Sequence, residues 1–203
     1  MSLALIDYGA GNLRSVANAL RAAGAADVAV TADPDVVARA DRIVLPGVGA
    51  FAACMAGLSA IDGMVAALEV RVRGEAAPFL GICVGMQLMA DAGEEHGRHA
   101  GLGWIGGTVR AFAPAPDLRV PHMGWNDVAP THAHPVIAAG EAYYLHGYHF
   151  ADVAAADVLA TSAHGGAFVA AVGRGNMIGV QFHPEKSQRY GIAMLERFLA
   201  WRP

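Results

Sequence analysis

The chain has 203 residues, of which 55% are hydrophobic and 16% are charged, and its formal net charge at pH 7 is −4. A chain of this length can bury one sizeable core, so we expect a single domain over residues 1–203. Only 14 residues are basic, and no apolar run is long enough to span a bilayer, so binding to nucleic acid or a membrane is not expected. With two cysteines and a strand pattern that begins at Leu3, neither a disulfide scaffold nor a signal peptide is expected, and we predict a cytoplasmic protein.

The first quarter of the chain alternates strand and helix patterns. Residues 3–6 form a short apolar strand pattern, and residues 12–23 carry apolar side chains at helical spacing. A strand pattern at 28–30, a helix start at Asp33-Pro34-Asp35 and a strand pattern at 42–45 follow. Strands that alternate with helices predict a mostly parallel sheet covered on both faces.

Two glycine-rich segments follow strand patterns. Asp7-Tyr-Gly-Ala-Gly-Asn12 contains the Gly-x-Gly of dinucleotide-binding loops, but Arg14 stands where that fingerprint has its third glycine, which argues against such a loop. Pro46-Gly-Val-Gly49 lies where ligands bind in open α/β sheets, at the carboxyl ends of the strands. No Gly-Lys-Ser/Thr follows it, so the segment is either a tight turn or, beside a nucleophile, a source of backbone N–H groups for an oxyanion.

A cysteine between two glycines ends an apolar run in Pro78-Phe-Leu-Gly-Ile-Cys-Val-Gly-Met-Gln87. The pattern predicts a strand, a sharp turn at Cys83 and a helix whose N-terminus favours a thiolate. Gly81 and Gly85 permit the close backbone approach that a nucleophile elbow needs. A buried, inert cysteine is the alternative, and we interpret Cys54, which has no such glycines, as a packing residue.

The partners that a catalytic cysteine needs occur near the end of the chain, in Gln181-Phe-His-Pro-Glu185. On an extended segment His183 and Glu185 project to the same side, so the carboxylate can hold one imidazole nitrogen and leave the other for Cys83. These are the nucleophile, base and orienting group of a triad. With the elbow, this His-x-Glu sequence resembles the class I glutamine amidotransferases, which hydrolyse the side-chain amide of glutamine. N–H groups of Val48 or Gly49 and of Val84 would form the oxyanion hole.

The middle of the chain carries short strand patterns separated by glycine and proline. They cover residues 108–112, 127–128, 143–145, 158–161 and 168–172. This spacing predicts an antiparallel or mixed extension of the sheet. We therefore expect an α/β fold of the flavodoxin type, a three-layer sandwich with a mostly parallel central sheet and a small antiparallel extension.

Four strings narrow the resemblance to the glutaminase subunits of imidazole glycerol phosphate synthase. They are Asp7-Tyr-Gly-Ala-Gly-Asn12, Pro46-Gly-Val-Gly-Ala-Phe51, Val120-Pro-His-Met-Gly-Trp-Asn126 and His183-Pro-Glu-Lys-Ser-Gln188. The resemblance implies a role in histidine biosynthesis and a heterodimer with a cyclase subunit, a (βα)8 barrel. That subunit uses ammonia to make imidazole glycerol phosphate and AICAR from PRFAR, in a synthase classed as a lyase. No cofactor is implied.

The same resemblance assigns residues to the substrate and to the partner. Glutamine would be held by Gln87, one helical turn after the nucleophile, by Glu95 and by backbone groups of Gly147 and Tyr148. The family usually has a serine where this chain has Gly147. Residues expected to face the cyclase are the following: Asn12, His122, Met123, Trp125 and Lys186.

Other functions stay open at this point. Nine histidines raise the question of a metal site, but residues 131–135 and the pair His146 and His149 lack companion cysteines or a His-Glu-x-x-His helix, so we expect none. A glutaminase of another synthase, a cysteine-based redox sensor on the same fold, and a binding module with an inert Cys83 are the alternatives. Covalent capture of Cys83 by a thiol-reactive glutamine analogue favours a glutaminase over the last two.

Overall fold

A computed structural model describes residues 1–114 and 118–203. The strands in these residues are β1 (Ser2–Ile6), β2 (Asp27–Thr31), β3 (Arg42–Gly47), β4 (Phe79–Cys83), β5 (Ala92–Gly93), β6 (His99–Ala100), β7 (Thr108–Ala111), β8 (His122–Pro130), β9 (Gly140–His146), β10 (Tyr148–Ala151), β11 (Val158–Ala163), β12 (Ala167–Arg174) and β13 (Met177–Val180). The helices are α1 (Leu13–Ala22), α2 (Pro34–Arg39), α3 (Phe51–Ala60), α4 (Met64–Leu68), α5 (Val84–Gln87) and α6 (Gln188–Ala200). A π-helical stretch, Glu69–Gly74, continues α4.

The central sheet has nine strands in the order β2-β1-β3-β4-β13-β12-β11-β8-β9. The first five strands in this order, β2, β1, β3, β4 and β13, pair in parallel. The remaining four, β12, β11, β8 and β9, extend the sheet in antiparallel pairs. A second sheet of four strands has the order β10-β7-β5-β6. The predicted α/β class, with a parallel core and an antiparallel extension, is confirmed.

The parallel strands are the centre of the core. Every residue of β3 and β4 is buried, and so is every residue of β1 except the first. Strands buried on both faces need apolar side chains on both, which explains why these segments are continuous hydrophobic runs and not alternating ones. Arg42 is the one charged residue of β3. It is buried as well, and its guanidinium donates a hydrogen bond to the carbonyl oxygen of Trp201 at 2.6 Å.

Parallel pairing brings four chain segments to one edge of the sheet. Segments that follow β1, β3, β4 and β13 begin at Asp7, Val48, Val84 and Gln181, and all lie at the carboxyl ends of their strands. In open α/β sheets this edge is where ligands bind. The glycine-rich loops, the cysteine and the late histidine of the sequence therefore converge.

Helix α5 is only four residues long: it ends at Gln87, and a strand begins at Ala92. The carbonyl oxygens of residues 88–91 accept hydrogen bonds from N–H groups of residues 101–105 and not from the next helical turn. Since Gly101 would collide with the carbonyl oxygen of Ala90 at 2.2 Å if it had a Cβ, this close crossing depends on glycine. A long-range contact thus ends the helix.

None of the helices in residues 1–114 and 118–203 has by itself the length and apolar composition to cross a membrane. Helix α3 and the segment Met64–Gly74 reach that length and composition only together, and they meet at an angle of 93°. The same residues contain no group of three or more His, Cys, Asp or Glu side chains placed to hold a metal ion.

Candidate active site

Cys83 lies at the tip of a strained turn between β4 and α5. Its φ is 55° and its ψ is −112°, a conformation that residues other than glycine rarely adopt. A Cβ on Gly81 would lie 2.6 Å from the carbonyl oxygen of Gly85, and a Cβ on Gly85 would lie 1.9 Å from that of Leu45. Only glycine fits at both positions, and the strand, turn and helix predicted from this spacing are present.

His183 and Glu185 form a buried pair beside this turn. Nδ1 of His183 lies 2.9 Å from Oε1 of Glu185, and the two side chains are 3% and 2% exposed. The backbone N–H of His183 donates to the carbonyl oxygen of Tyr143, and Ser187 Oγ donates to the carbonyl oxygen of His183, so the histidine is fixed from both sides.

The charge of His183 follows from its neighbours. Burial lowers the pKa of His183, but hydrogen bonds with Cys83 and Glu185 and the negative charges of these two groups outweigh burial and raise the pKa to about 9. The raised pKa favours the protonated ring, an imidazolium. A positive charge at this place stabilises negative charge on the sulfur, which is the nucleophilic form of cysteine.

A pocket of about 320 Å³ opens next to the sulfur. Its volume is in the range of small-molecule sites. Nine of the residues predicted from sequence line it: Val48, Gly49, Cys83, Val84, Gln87, Glu95, Gly147, Tyr148 and His183. Pro121, Leu145 and His146 complete the lining, and Glu185 lies behind His183.

Gln181 is a polar residue of the site that the sequence reasoning missed. It is fully buried, its Nε2 lies 3.8 Å from the sulfur of Cys83, and its Oε1 accepts from Nε2 of Gln87 at 3.1 Å. The sequence does hold a signal for it, because Gln181 precedes His183 by two residues on an extended segment and therefore projects to the same side.

Residues 4–201 match the family model of the class-I glutamine amidotransferases. The chain belongs to this family. It is 61% identical to the imidazole glycerol phosphate synthase subunit HisH of Zymomonas mobilis, over all of this chain and 97% of that protein, and 53% identical to the subunit of the same name from Rhodospirillum rubrum, over all of both. Among solved structures, PurLQS from Thermotoga maritima is similar with a TM-score of 0.75 and 17% identity, over 98% of this chain and 97% of that one.

Two polar side chains that line the pocket, Gln87 and Glu95, are held by backbone groups. Nε2 of Gln87 donates to the carbonyl oxygen of Tyr148 at 3.0 Å, and Oε2 of Glu95 accepts from the backbone N–H of Phe51 at 2.8 Å. Phe51 is the first residue of α3, so the positive end of that helix holds the carboxylate. The two groups therefore have fixed positions before any substrate binds.

The loop after β3 borders the other side of the pocket. Gly49 has a φ of +105°, and Cys54 donates its S–H to the carbonyl oxygen of Val48 at 3.4 Å. Burial raises the pKa of the Cys54 thiol, in agreement with the packing role predicted for it. Val48 and Gly49 of this loop line the pocket together with Val84, the first residue of α5. Their use as an oxyanion hole stays a prediction.

Gly147 is not required by the backbone of the amidotransferase pocket. Its φ lies outside the left-handed region, and a Cβ there would meet only Cγ1 of Val120, at an ordinary contact distance of 3.5 Å. A Cβ at this position would therefore have room in this chain.

Four of the residues expected to face a partner lie at or near the surface. Met123 and Trp125 are 63% and 46% exposed, and Asn12 is exposed at the start of α1. Nζ of Lys186 lies 6.0 Å from the centre of the Tyr143 ring. His122 differs: it is 5% exposed, because side chains alternate along β8 and its ring lies on the inner face.

Substitutions in the buried pair separate its two roles. We expect His183→Ala to lower glutaminase turnover by about 10³-fold, since the proton carrier is lost. Glu185→Gln keeps the size of the side chain and removes the charge that stabilises the imidazolium, so a loss of roughly 10-fold to 100-fold is expected, the effect of one hydrogen bond to a charged group. The measurement is steady-state kinetics of glutamate formation.

The pH profile adds a second readout. Because Glu185 contributes to the raised pKa of His183, Glu185→Gln lowers that pKa, and the alkaline fall in activity caused by loss of the imidazolium moves to lower pH. Glu196→Gln, at an exposed position of α6, is the matched control. Equal turnover in wild type, His183→Ala and Glu185→Gln would contradict the assignment of the triad.

Proposed function

We propose that this chain is the glutaminase subunit of imidazole glycerol phosphate synthase, a single amidotransferase domain that hydrolyses glutamine and supplies the ammonia to a cyclase subunit in histidine biosynthesis. The observation that carries the reaction type is that Cys83 and His183 line one pocket while Glu185 holds Nδ1 of His183 from behind. The identity of 61% and 53% to relatives named as this subunit supports the assignment among the amidotransferases.

Substrate glutamine is placed by groups at both ends of the pocket. Oε1 of Gln87 and the carboxylate of Glu95 accept from the α-amino group, and backbone N–H groups at Gly147 and Tyr148 donate to the α-carboxylate. This binding directs the side-chain amide toward Cys83. The structure supports the proposal because these four residues line the same pocket as the sulfur.

Hydrolysis then follows in two halves. The sulfur of Cys83 attacks the amide carbon, and N–H groups of Val84 and of Val48 or Gly49 stabilise the oxyanion. His183 donates its proton to the leaving nitrogen, so ammonia departs and a thioester remains. The neutral histidine next removes a proton from water, which attacks the thioester and releases glutamate. Water and glutamine are consumed, ammonia and glutamate are formed, and the cysteine is regenerated without a cofactor.

Ammonia must reach the second reaction without meeting bulk water, because protonation to ammonium at neutral pH removes its nucleophilicity. We therefore infer a cytoplasmic heterodimer with a (βα)8-barrel cyclase and a closed path for ammonia between the subunits. Met123 and Trp125 supply exposed apolar surface on one strand, and aromatic side chains of this kind are enriched at protein interfaces. Asn12 lies at the start of α1, a helix that contacts the turn Pro184–Lys186. Lys186 and Asn12 are thus the polar part of the inferred interface.

The proposal is tested by reconstitution with the cyclase. We expect the free chain to hydrolyse glutamine slowly, and the complex holding an analogue of the cyclase substrate to hydrolyse it at least 10-fold faster. A ligand activates only as far as it binds the active state better, so the activation factor measures the coupling. The measurement is glutamate release by the free chain, the complex, and the complex with analogue.

Lys186→Ala in the complex shows whether this lysine transmits the response, and Arg189→Ala, at an exposed position of α6, is its control. High activity of the free chain would contradict the gating. A Lys186→Ala complex that responds fully would remove the lysine from the coupling, and failure to make imidazole glycerol phosphate from glutamine with this cyclase would contradict the choice of synthase.

A further inference from the structure

A chain of hydrogen bonds connects β8, β9 and the residues that follow β9, and it reaches the glutamine pocket at His146 and Tyr148, which line it. Nδ2 of Asn126 is 3.1 Å from Nε2 of His122, and Nδ1 of His122 is 3.2 Å from Nε2 of His146. Nδ1 of His146 is 2.9 Å from the carbonyl oxygen of Tyr148. The two histidines are direct partners in the antiparallel register of β8 and β9, which explains the contact between their rings.

Only one arrangement of protons satisfies this chain with neutral rings. A carbonyl oxygen accepts and cannot donate, so Nδ1 of His146 carries hydrogen and its Nε2 accepts. His122 must then donate from Nδ1, and its Nε2 accepts from the amide of Asn126. The amide orientation of Asn126 agrees, since Nδ2 also donates to the carbonyl oxygen of Ala163 at 2.9 Å. Every donor therefore faces toward Tyr148.

The environment keeps both rings neutral. They are 5% and 6% exposed and lie among aromatic rings with centroid distances of 4.2–5.3 Å. Burial is the main reason why the pKa of His122 is lowered to about 4 and that of His146 to about 3. The rings packed on them are the following: Phe112, Tyr144, His164 and Phe168.

The chain of hydrogen bonds ends at Tyr148, whose carbonyl oxygen orients Gln87. The carbonyl oxygen of Tyr148 accepts from both His146 and Gln87, which uses its two lone pairs. The Gln87 amide donates its second hydrogen to Oε1 of Gln181, so both N–H groups of Gln87 are occupied. Its Oε1 is thereby left for the pocket, and the amide of Gln181 presents Nε2 to the sulfur of Cys83.

We propose that His122 and His146 are positioning residues of the glutaminase site, which hold the Tyr148 carbonyl so that the Gln87 amide presents its oxygen to the ammonium group of bound glutamine. This role rests on the proposed glutaminase function. It explains what the two histidines contribute to the site although neither touches the reacting atoms. A rotated Gln87 amide would present N–H groups to a cation. Glutamine would then bind weakly while the nucleophile and its histidine stay in place.

The test compares variants of His146 in the complex with the cyclase. His146→Phe keeps a planar ring and removes both hydrogen bonds, and we expect KM for glutamine to rise roughly threefold to 10-fold with kcat within about twofold, the effect of one neutral hydrogen bond. His146→Asn retains a donor near the place of Nδ1 and is expected to recover most of the loss. His149→Phe, whose ring stacks on Phe112 in the same aromatic cluster, is the matched control and leaves KM unchanged.

A double-mutant cycle with Gln87→Met shows whether His146 acts through Gln87. In the Gln87→Met background, His146→Phe adds no further rise in KM if the effect passes through the amide, whereas additive effects overturn the proposal. Alkylation of Cys83 by iodoacetamide needs no glutamine site and proceeds at the wild-type rate in His146→Phe. Wild-type protein without glutaminase activity or alkylation would instead contradict the proposed function itself.

Nitrogen-15 NMR of the wild-type protein keeps the proposal testable if His146→Phe does not fold. Both His122 and His146 are expected as neutral rings with hydrogen on Nδ1, which is the less common tautomer of free histidine. Hydrogen on Nε2 of either ring at pH 7 would reverse the direction in which these hydrogen bonds are donated, and it would overturn the assignment.

Discussion

Replacing Cys83 with alanine is expected to abolish glutamine-dependent synthesis of imidazole glycerol phosphate, by at least 10³-fold, while synthesis from added ammonium salt stays within about twofold of wild type. The sulfur is the group that forms the thioester, and no other residue of the pocket can replace it. The cyclase reaction is carried by the other subunit in the proposed function, so it needs only ammonia. The measurement is product formation by the complex with each nitrogen donor.

Cys54→Ala is the control for this experiment, because it removes the other buried thiol of the chain and should keep most of the activity. Equal loss with both nitrogen donors would mean that Cys83 is a structural residue. Retention of glutamine-dependent synthesis in Cys83→Ala would contradict thioester chemistry altogether.

Gly85→Ala is expected to have the second large effect, on folding as well as on activity. The added methyl group would lie 1.9 Å from the carbonyl oxygen of Leu45, and backbone atoms at this contact cannot move without separating α5 from β3. Overpacking of this kind costs about 3 kcal/mol or more, which corresponds to a melting temperature lower by roughly 6–12 °C in a chain of this size. Thermal unfolding and glutaminase activity are measured together.

Gly74→Ala is the matched control, since an added Cβ there would meet only one carbonyl oxygen, that of Glu69, at 3.9 Å. It is expected to change the free energy of unfolding by no more than about 0.5 kcal/mol. A Gly85→Ala protein with wild-type stability and turnover would show that the elbow tolerates a side chain, and the physical reason given for the two glycines would be wrong.

Local sequence determined the parts of the site that depend on backbone geometry. Gly81 and Gly85 predict the elbow because any Cβ at these positions meets backbone atoms, and this requirement is visible in the residue types alone. The spacing of His183 and Glu185 likewise predicts a pair, since residues two apart on an extended segment share a side. The alternation of apolar strands and helices predicts the parallel sheet, whose topology brings both segments to one edge.

Tertiary structure decided what depends on contacts between distant segments. Helix α5 ends at Gln87 because N–H groups of residues 101–105 donate to the carbonyl oxygens of residues 88–91. The sequence of α5 itself cannot predict this contact. His122 faces inward, because the register of β8 with β9 sets it against His146. The amide of Gln87 has its orientation for the same reason: its hydrogen-bond partners, Tyr148 and Gln181, are 61 and 94 residues away in the chain. Residue type fixed which groups can donate or accept, and only the packing of these strands determined which donor meets which acceptor.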